Sequence, residues 1–478
     1  MVSAAAARHG AAGFFVAAGT VSVGLGSGVG IAGPTSALPF SAAVAAFVAT
    51  VAIVAVAGTR AVASLAIVGA AATLGMNGVR ITSFMSVADA FLFVAAVALF
   101  VDPRSWRRVE VGAVKLQAGG FLLLVIGGLV GSFFARDALV SGATLLRLVV
   151  ASALLLLLFV LWSPSVREIT IVAAAWVGSA SASSVVAILE EDPIFGRPSG
   201  LTTHPSHLGL VCVLAIGPAV ALTGAAAGFR RVAGLCGCIL ITVGVVLSGS
   251  RAGVIGYGVA LAMTFALSGR LTFVPGIFGT RAVVAGMLTA GGIGFSLALA
   301  RGITLPTGNA LDRLLGRADV ASSNAERVAA LDEALARAYA HPITGSGFED
   351  ALAAHNVYLE VWVAAGLIGL TGFLMIIGGT LAHVRADRLS SLRATRSVAA
   401  GITIGFTASF AAFVVAGLFG PQLWDRYIWL APAIIPLLAH RARHGGAGAD
   451  DDLDAGAVPP MLPAALRAAD GGITSDNG

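Results

Sequence analysis

The sequence predicts an all-α, polytopic integral membrane protein, and three observations carry that prediction. Of 478 residues, 58% are hydrophobic and only 11% charged, against about 45–50% and about 25% in an ordinary soluble domain. Mean hydropathy is +0.94, which leaves no polar exterior for a soluble fold. Apolar runs of about 20 residues, the length that crosses a bilayer as a helix, recur about fourteen times. Cytosolic, secreted and nucleic-acid-binding classes are excluded on the same grounds. The formal charge is only +5, from 29 basic and 24 acidic residues. Lys115 is the sole lysine, and the arginine bias, with abundant Ala and Gly, points to a GC-rich genome.

In chain order the runs fall near 11–32, 38–57, 61–76, 84–101, 116–134, 143–162, 169–189, 207–224, 232–248, 252–268, 281–299, 356–382, 397–417 and 427–439. The third, tenth and last are short, so the expectation is about 12–14 spans. Orientation follows from the arginines, because basic connections stay cytoplasmic. Arg60, Arg104, Arg107, Arg108, Arg167, Arg230, Arg231, Arg270, Arg385, Arg388, Arg393, Arg396, Arg441 and Arg443 all fall on one side of the alternation, which puts both termini in the cytoplasm. The first run follows Arg8 as a signal peptide would, but its length and the spans after it favour an uncleaved first helix. Residues 1–189 then form an N-terminal set of helices and 190–439 a second membrane region. Residues 440–478 form a cytoplasmic tail that is Gly-, Ala-, Asp- and Pro-rich from Gly445 and expected to be disordered. No internal repeat is evident. Cys212, Cys236 and Cys238 sit in apolar runs without metal-ligand neighbours at helical spacing, so they are expected to be small core residues.

The outer side carries one long connection, residues 300–355. Within it Ser323-Asn324-Ala325-Glu326 has the spacing of a capping box, so a helix is expected to begin there. Val328, Leu331, Leu335 and Ala338 then recur at three or four, which lays one face of that helix on the protein or membrane surface and leaves Asp332, Glu333 and Arg337 in water. The helix should stop before His341-Pro342, and Gly345-Ser346-Gly347 should make a tight turn.

An outer side should be poor in arginine, yet it carries Arg80, Arg136, Arg197, Arg251, Arg327 and Arg426. Arg136 beside Asp137 and Arg426 beside Asp425 fit simple ion pairs. Arg251, in Ser248-Gly249-Ser250-Arg251-Ala252-Gly253 between two apolar runs, must sit at the membrane boundary. There its planar fork of donors suits a phosphate at the lipid surface, and several such arginines suit a diphosphate. Four histidines share that side: His204, His207, His341 and His355. His204 and His207 have the spacing of two metal ligands on a helix but lack a third. His355, opening a span directly after the long loop, is placed to take a proton from a hydroxyl or simply to bond backbone at a helix start.

Taken in order, these outer pieces resemble the O-antigen ligase and polymerase family of integral membrane glycosyltransferases. The first is Gly196-Arg197-Pro198-Ser199-Gly200-Leu201-Thr202-Thr203-His204-Pro205-Ser206-His207-Leu208-Gly209, similar to the family's Arg-x-x-Gly run into a span, with Ser206 where the family usually has Asn. The second is Ser248 to Gly253, similar to its Ser-x-Ser-Arg-x-Gly element. The third is Arg327, then His341-Pro342-Ile343-Thr344-Gly345-Ser346-Gly347-Phe348, Ala354-His355-Asn356-Val357-Tyr358-Leu359-Glu360, and Gly366-Leu367-Ile368-Gly369-Leu370. The likeness covers roughly residues 195–370; the N-terminal half rests on hydropathy alone.

The resemblance implies a GT-C-like, metal-independent enzyme without a cofactor, in a bacterial plasma membrane, with its active site on the outer face. It would transfer a glycan from a polyprenyl-diphosphate carrier to an acceptor hydroxyl on a glycan, lipid or protein. Carried over by position, Arg197, Arg251 and Arg327 would hold the donor diphosphate, His355 would be the general base, and Asn356 and His207 would support them, Asn356 as an orienter or helix cap. Two competing readings stand beside this one. One places the chemistry on Glu190-Glu191-Asp192 with a divalent metal. The other makes the chain a transporter or flippase of lipid-linked glycans, for which many spans and cavity arginines are equally expected.

Overall fold

The computed structural model describes residues 58–81, 86–107, 111–190, 197–226, 228–269, 321–349, 355–383, 398–420 and 423–444. Among them the chain is all-helical, with thirteen α-helices and no strands. They are α1 (Thr59–Thr73, continued by a 3-10 turn Leu74–Met76), α2 (Val87–Val101), α3 (Pro103–Arg107), α4 (Val111–Phe133), α5 (Ala138–Trp162), α6 (Val166–Leu189), α7 (Pro205–Ala225), α8 (Gly228–Leu247), α9 (Arg251–Gly269), α10 (Ala321–Ala340), α11 (Val357–Ala382), α12 (Val398–Ala416) and α13 (Leu430–His444). Eight are long and apolar enough to cross a membrane; α2 and α9 are apolar but shorter. The protein is an all-α polytopic membrane protein. Every predicted run within the described residues is helical. The runs at 11–32, 38–57 and 281–299, the arginines from 385 to 396 and the tail from 445 lie outside the described residues.

Local chemistry sets the helix ends. Ser86 with Asp89 and Ser165 with Glu168 form reciprocal capping boxes at α2 and α6. Asp137 caps α5 by accepting from the amides of Leu139 and Val140. That is a different use from the ion pair expected with Arg136. Arg426 likewise pairs with Asp89 of α2 and not with its neighbour Asp425. Sequence adjacency gave the wrong partner because neighbouring side chains leave the backbone in different directions.

The central helix is α7, the most enclosed of the long ones. Its Pro218 has no N–H and removes the bond to the carbonyl four residues back. The indole Nε1 of Trp176 on α6 donates to that carbonyl, Leu214 O, at 3.3 Å, so the break is satisfied by a neighbouring helix, as a bilayer interior demands. Cys212 and Cys238 are buried as expected, whereas Cys236 is exposed on its helix and is not a core residue.

Helices α4 and α11 meet along a strip of glycines, the small-residue packing common between membrane helices. A Cβ on Gly120 would come within 2.6 Å of Gly372 O, and one on Gly127 within 2.6 Å of Ala365 O. The run predicted as one span, 356–382, is not straight. Gly366 takes φ 64°, ψ −168°, a region open to glycine alone. The rings of Tyr358 and Phe373 consequently lie 5.8 Å apart, where a straight helix would separate those positions by about 22 Å along its axis. The carbonyls of Val363 and Ala364 freed at the break accept from the amides of Ser346 and Gly347, at 2.7 and 3.0 Å. The expected glycine turn is there, with Gly345 and Gly347 at φ 74° and 90°, and it seals the fold in α11.

The predicted loop helix is α10. It begins at Ala321, two residues before the capping-box serine, and ends at Ala340 as expected. Ala334 and Ala338 pack on Leu359 and Val363 of α11. Val328 and Leu331, expected on the face laid against the protein or the membrane surface, are 57% and 38% exposed among the described residues.

Candidate active site

Three helix N-termini converge on one cavity. Helix α7 opens with His204 as its N-cap, the ring Nδ1 accepting from Ser206 N at 3.2 Å and lying 2.7 Å from Ser206 Oγ. Helix α9 opens at Arg251, and the hydroxyl of Ser250 accepts from Gly253 N at 3.1 Å. Helix α11 opens behind Asn356, whose Oδ1 accepts from Tyr358 N and Leu359 N at 3.0 and 3.1 Å. Helix starts present unpaired amides and the positive end of the helix dipole, so their convergence favours an anion.

The cavity has a volume of about 320 Å³ and is lined by Arg197, Arg251, Arg327, His204, His207 and His355, together with Ser206, Ser250 and, from the end of α12, Ala416, Phe419 and Gly420. The three arginines and His355, scattered over the sequence, thus line the same cavity. None of the described lining residues is acidic. Asn356 does not line the cavity; it is the cap that starts α11. Glu360, one turn on, is buried with neither carboxylate oxygen partnered among the described residues.

Local bonds place each group. Arg197 donates from Nε and Nη2 to Ser248 O at 3.0 and 2.8 Å, which joins the Arg197–Gly209 run to the Ser248–Gly253 element. Glu190 accepts from Ser199 N, Ser199 Oγ and Gly200 N at 2.8, 3.1 and 2.7 Å. That carboxylate shapes the loop behind Arg197 instead of facing the cavity; Glu191 and Asp192 lie outside the described residues. Among the described residues no group of three or more His, Cys, Asp or Glu is arranged to hold a metal ion. His355 sits at φ 48°, a left-handed conformation uncommon for a residue with a Cβ and often found at functional sites. The next amide but one, Val357 N, donates to Gly417 O at 2.9 Å and ties this strained corner to the end of α12.

Burial, with Arg327 second, holds the His355 imidazole below its ordinary 6.5, and Glu326 partly offsets them. The ring is therefore neutral and able to accept a proton near neutral pH. His204 is driven further, to about 4, by burial and then by His207, Arg197, Arg327 and His355. It serves as a neutral cap.

Sequence reasoning missed the groups behind His207. Its Nδ1 lies 3.0 Å from Thr203 Oγ1, 3.3 Å from Asn77 Nδ2 and 3.4 Å from Asp425 Oδ2. Asp425 also accepts from Asn77 at 2.9 Å and from Tyr427 OH at 2.6 Å. Asn77 and Asp425 stand 348 positions apart, and no local pattern marks either.

A cationic cavity at helix starts, with a neutral histidine beside clustered arginines, suits an anionic ligand. Residues 236–374 match the family model of the O-antigen ligase, so this region of the chain is similar to that family. That match supports an O-antigen ligase-like glycosyltransferase in general type. The match takes in the Ser248–Gly253 element, Arg327, His355 and the Gly366–Leu370 run, and leaves the Gly196–Gly209 run outside it. No curated protein matches the chain.

Proposed function

We propose that the protein transfers a glycan from a polyprenyl-diphosphate carrier to an acceptor hydroxyl at the outer face of the bacterial plasma membrane. The observation that carries this reading is that Arg197, Arg251, Arg327 and His355 line a single cavity. Arginine-rich connections at the opposite end of the helices favour the cytoplasm for that end and the outer face for the cavity.

In this mechanism Arg197, Arg251 and Arg327 hold the diphosphate, aided by the starts of α7 and α9. His355 takes the proton of the acceptor hydroxyl as its oxygen bonds to the anomeric carbon. The bond from that carbon to the diphosphate breaks, its electron pair leaves with the diphosphate, and the arginines offset the charge that grows there. A single displacement inverts the anomeric centre. Residues 190–439 supply this machinery, and 1–189 contribute a supporting wall through Asn77. The acceptor is a glycan, lipid or protein hydroxyl.

The test is mass spectrometry of carrier-linked glycans from cells carrying His355→Ala in place of the parent, with membrane protein level checked alongside. Accumulation is expected: single repeat units for a polymerase, long chains for a ligase. An unchanged pool with normal protein level would remove His355 from the mechanism.

A further inference from the structure

We propose that Asp425 is a positioning residue of the cavity, holding His207 with one ring nitrogen turned away so that the other donates a hydrogen bond to the substrate diphosphate. The proposal rests on the donor reading given above. Three polar groups crowd Nδ1 of His207, and the ring lines the cavity, so Nε2 is the nitrogen left for its contents. Asp425 is itself fixed from two sides, by Asn77 and by Tyr427. The Asn77 amide that Asp425 holds and the Thr203 hydroxyl both stand as donors to Nδ1, which places the ring proton on Nε2, a donor to a phosphate oxygen.

Arg197, Arg251, Arg327 and His355 line the same cavity as His207. Asp425 is the acid within reach of the ring, while the nearby Asp89 is paired with Arg426. No bond is made or broken at His207; it adds a donor where charge builds up as the carbon–oxygen bond breaks. His207 and Asp425 come from the start of α7 and the connection before α13, so the pairing also joins two sides of the cavity.

Binding of inorganic diphosphate to the purified full-length protein in lipid nanodiscs, followed by calorimetry, tests this. Asp425→Asn and His207→Gln should each weaken binding about tenfold at about pH 7.5, and the double variant should weaken it no further. Losses that add in the double variant would show that Asp425 does not act through His207 and would overturn the proposal. Should Asp425→Asn fail to fold, His207→Gln decides, since binding equal to the parent overturns the proposal. If Arg251→Ala abolishes binding while both Asp425→Asn and His207→Gln bind as the parent does, the donor site stands and the positioning role falls. If the parent itself binds no diphosphate, the donor reading falls and the proposal with it.

Discussion

His355 combines three local properties that bear on one another. It holds a left-handed backbone, it lies one residue before a helix cap, and its imidazole is kept below the ordinary 6.5 by burial and by Arg327. A base must be neutral to accept a proton, and a lowered value keeps it neutral further into acid. The acid limb of the rate–pH profile should therefore have its midpoint below 6.5. Turnover measured across pH checks this; a midpoint above that value would mean another group limits the rate. Residue identity alone marked His355, Arg197, Arg251 and Arg327 as candidates, because charge at a membrane boundary is costly and needs a reason. The same scale misled for Arg426 and Asp425, whose partners, Asp89 and His207, lie far off in the chain. Pairing across a bundle depends on which helices face each other, and hydropathy is silent on that.

At the scale of elements, helix α11 shows how a sequence that reads as one span becomes two pieces. Its apolar run is continuous across Gly366, so periodicity gives no warning; only backbone geometry demands glycine there. An added Cβ would lie 2.0 Å from Ile343 O in a conformation that side chains seldom adopt. Gly366→Ala should cost about 3 kcal/mol or more and lower the unfolding temperature in detergent by several degrees. An unshifted melting curve would show that the fold in α11 is not needed for stability. The break matters for the site because α11 carries His355 at its start, and the turn that seals the break, Gly345 to Gly347, links α10 to α11. The loop helix α10 was legible from its period of three to four and its end at His341-Pro342. Its packed face was legible at Leu335 and Ala338, which lie against α11, while Ala334, packed there too, falls outside the stripe read from the sequence.

For the whole molecule, the architecture was the most readable feature. Long apolar runs leave the backbone no alternative to helices inside a bilayer, and each run within the described residues became one. Which end faces outward rests on the arginines of the connections. That orientation predicts that, with Cys212, Cys236 and Cys238 replaced by alanine, a membrane-impermeant maleimide added to intact spheroplasts labels Ile343→Cys but spares Arg230→Cys. Both positions are exposed; the opposite pattern would invert the protein and place the cavity in the cytoplasm. The convergence of three helix starts on one cationic cavity was not legible, because each motif was visible separately while their meeting depends on tertiary packing.

The most direct measurement is release of free polyprenyl diphosphate by the purified protein in vesicles loaded with carrier-linked glycan from its own cells. The parent should release it in step with glycan transfer and without added metal. His355→Ala should release at least about a hundredfold less, the scale of a lost general base. Equal release by the parent and His355→Ala, or glycan movement across the vesicle with the carrier bond intact, would contradict glycosyl transfer at this site.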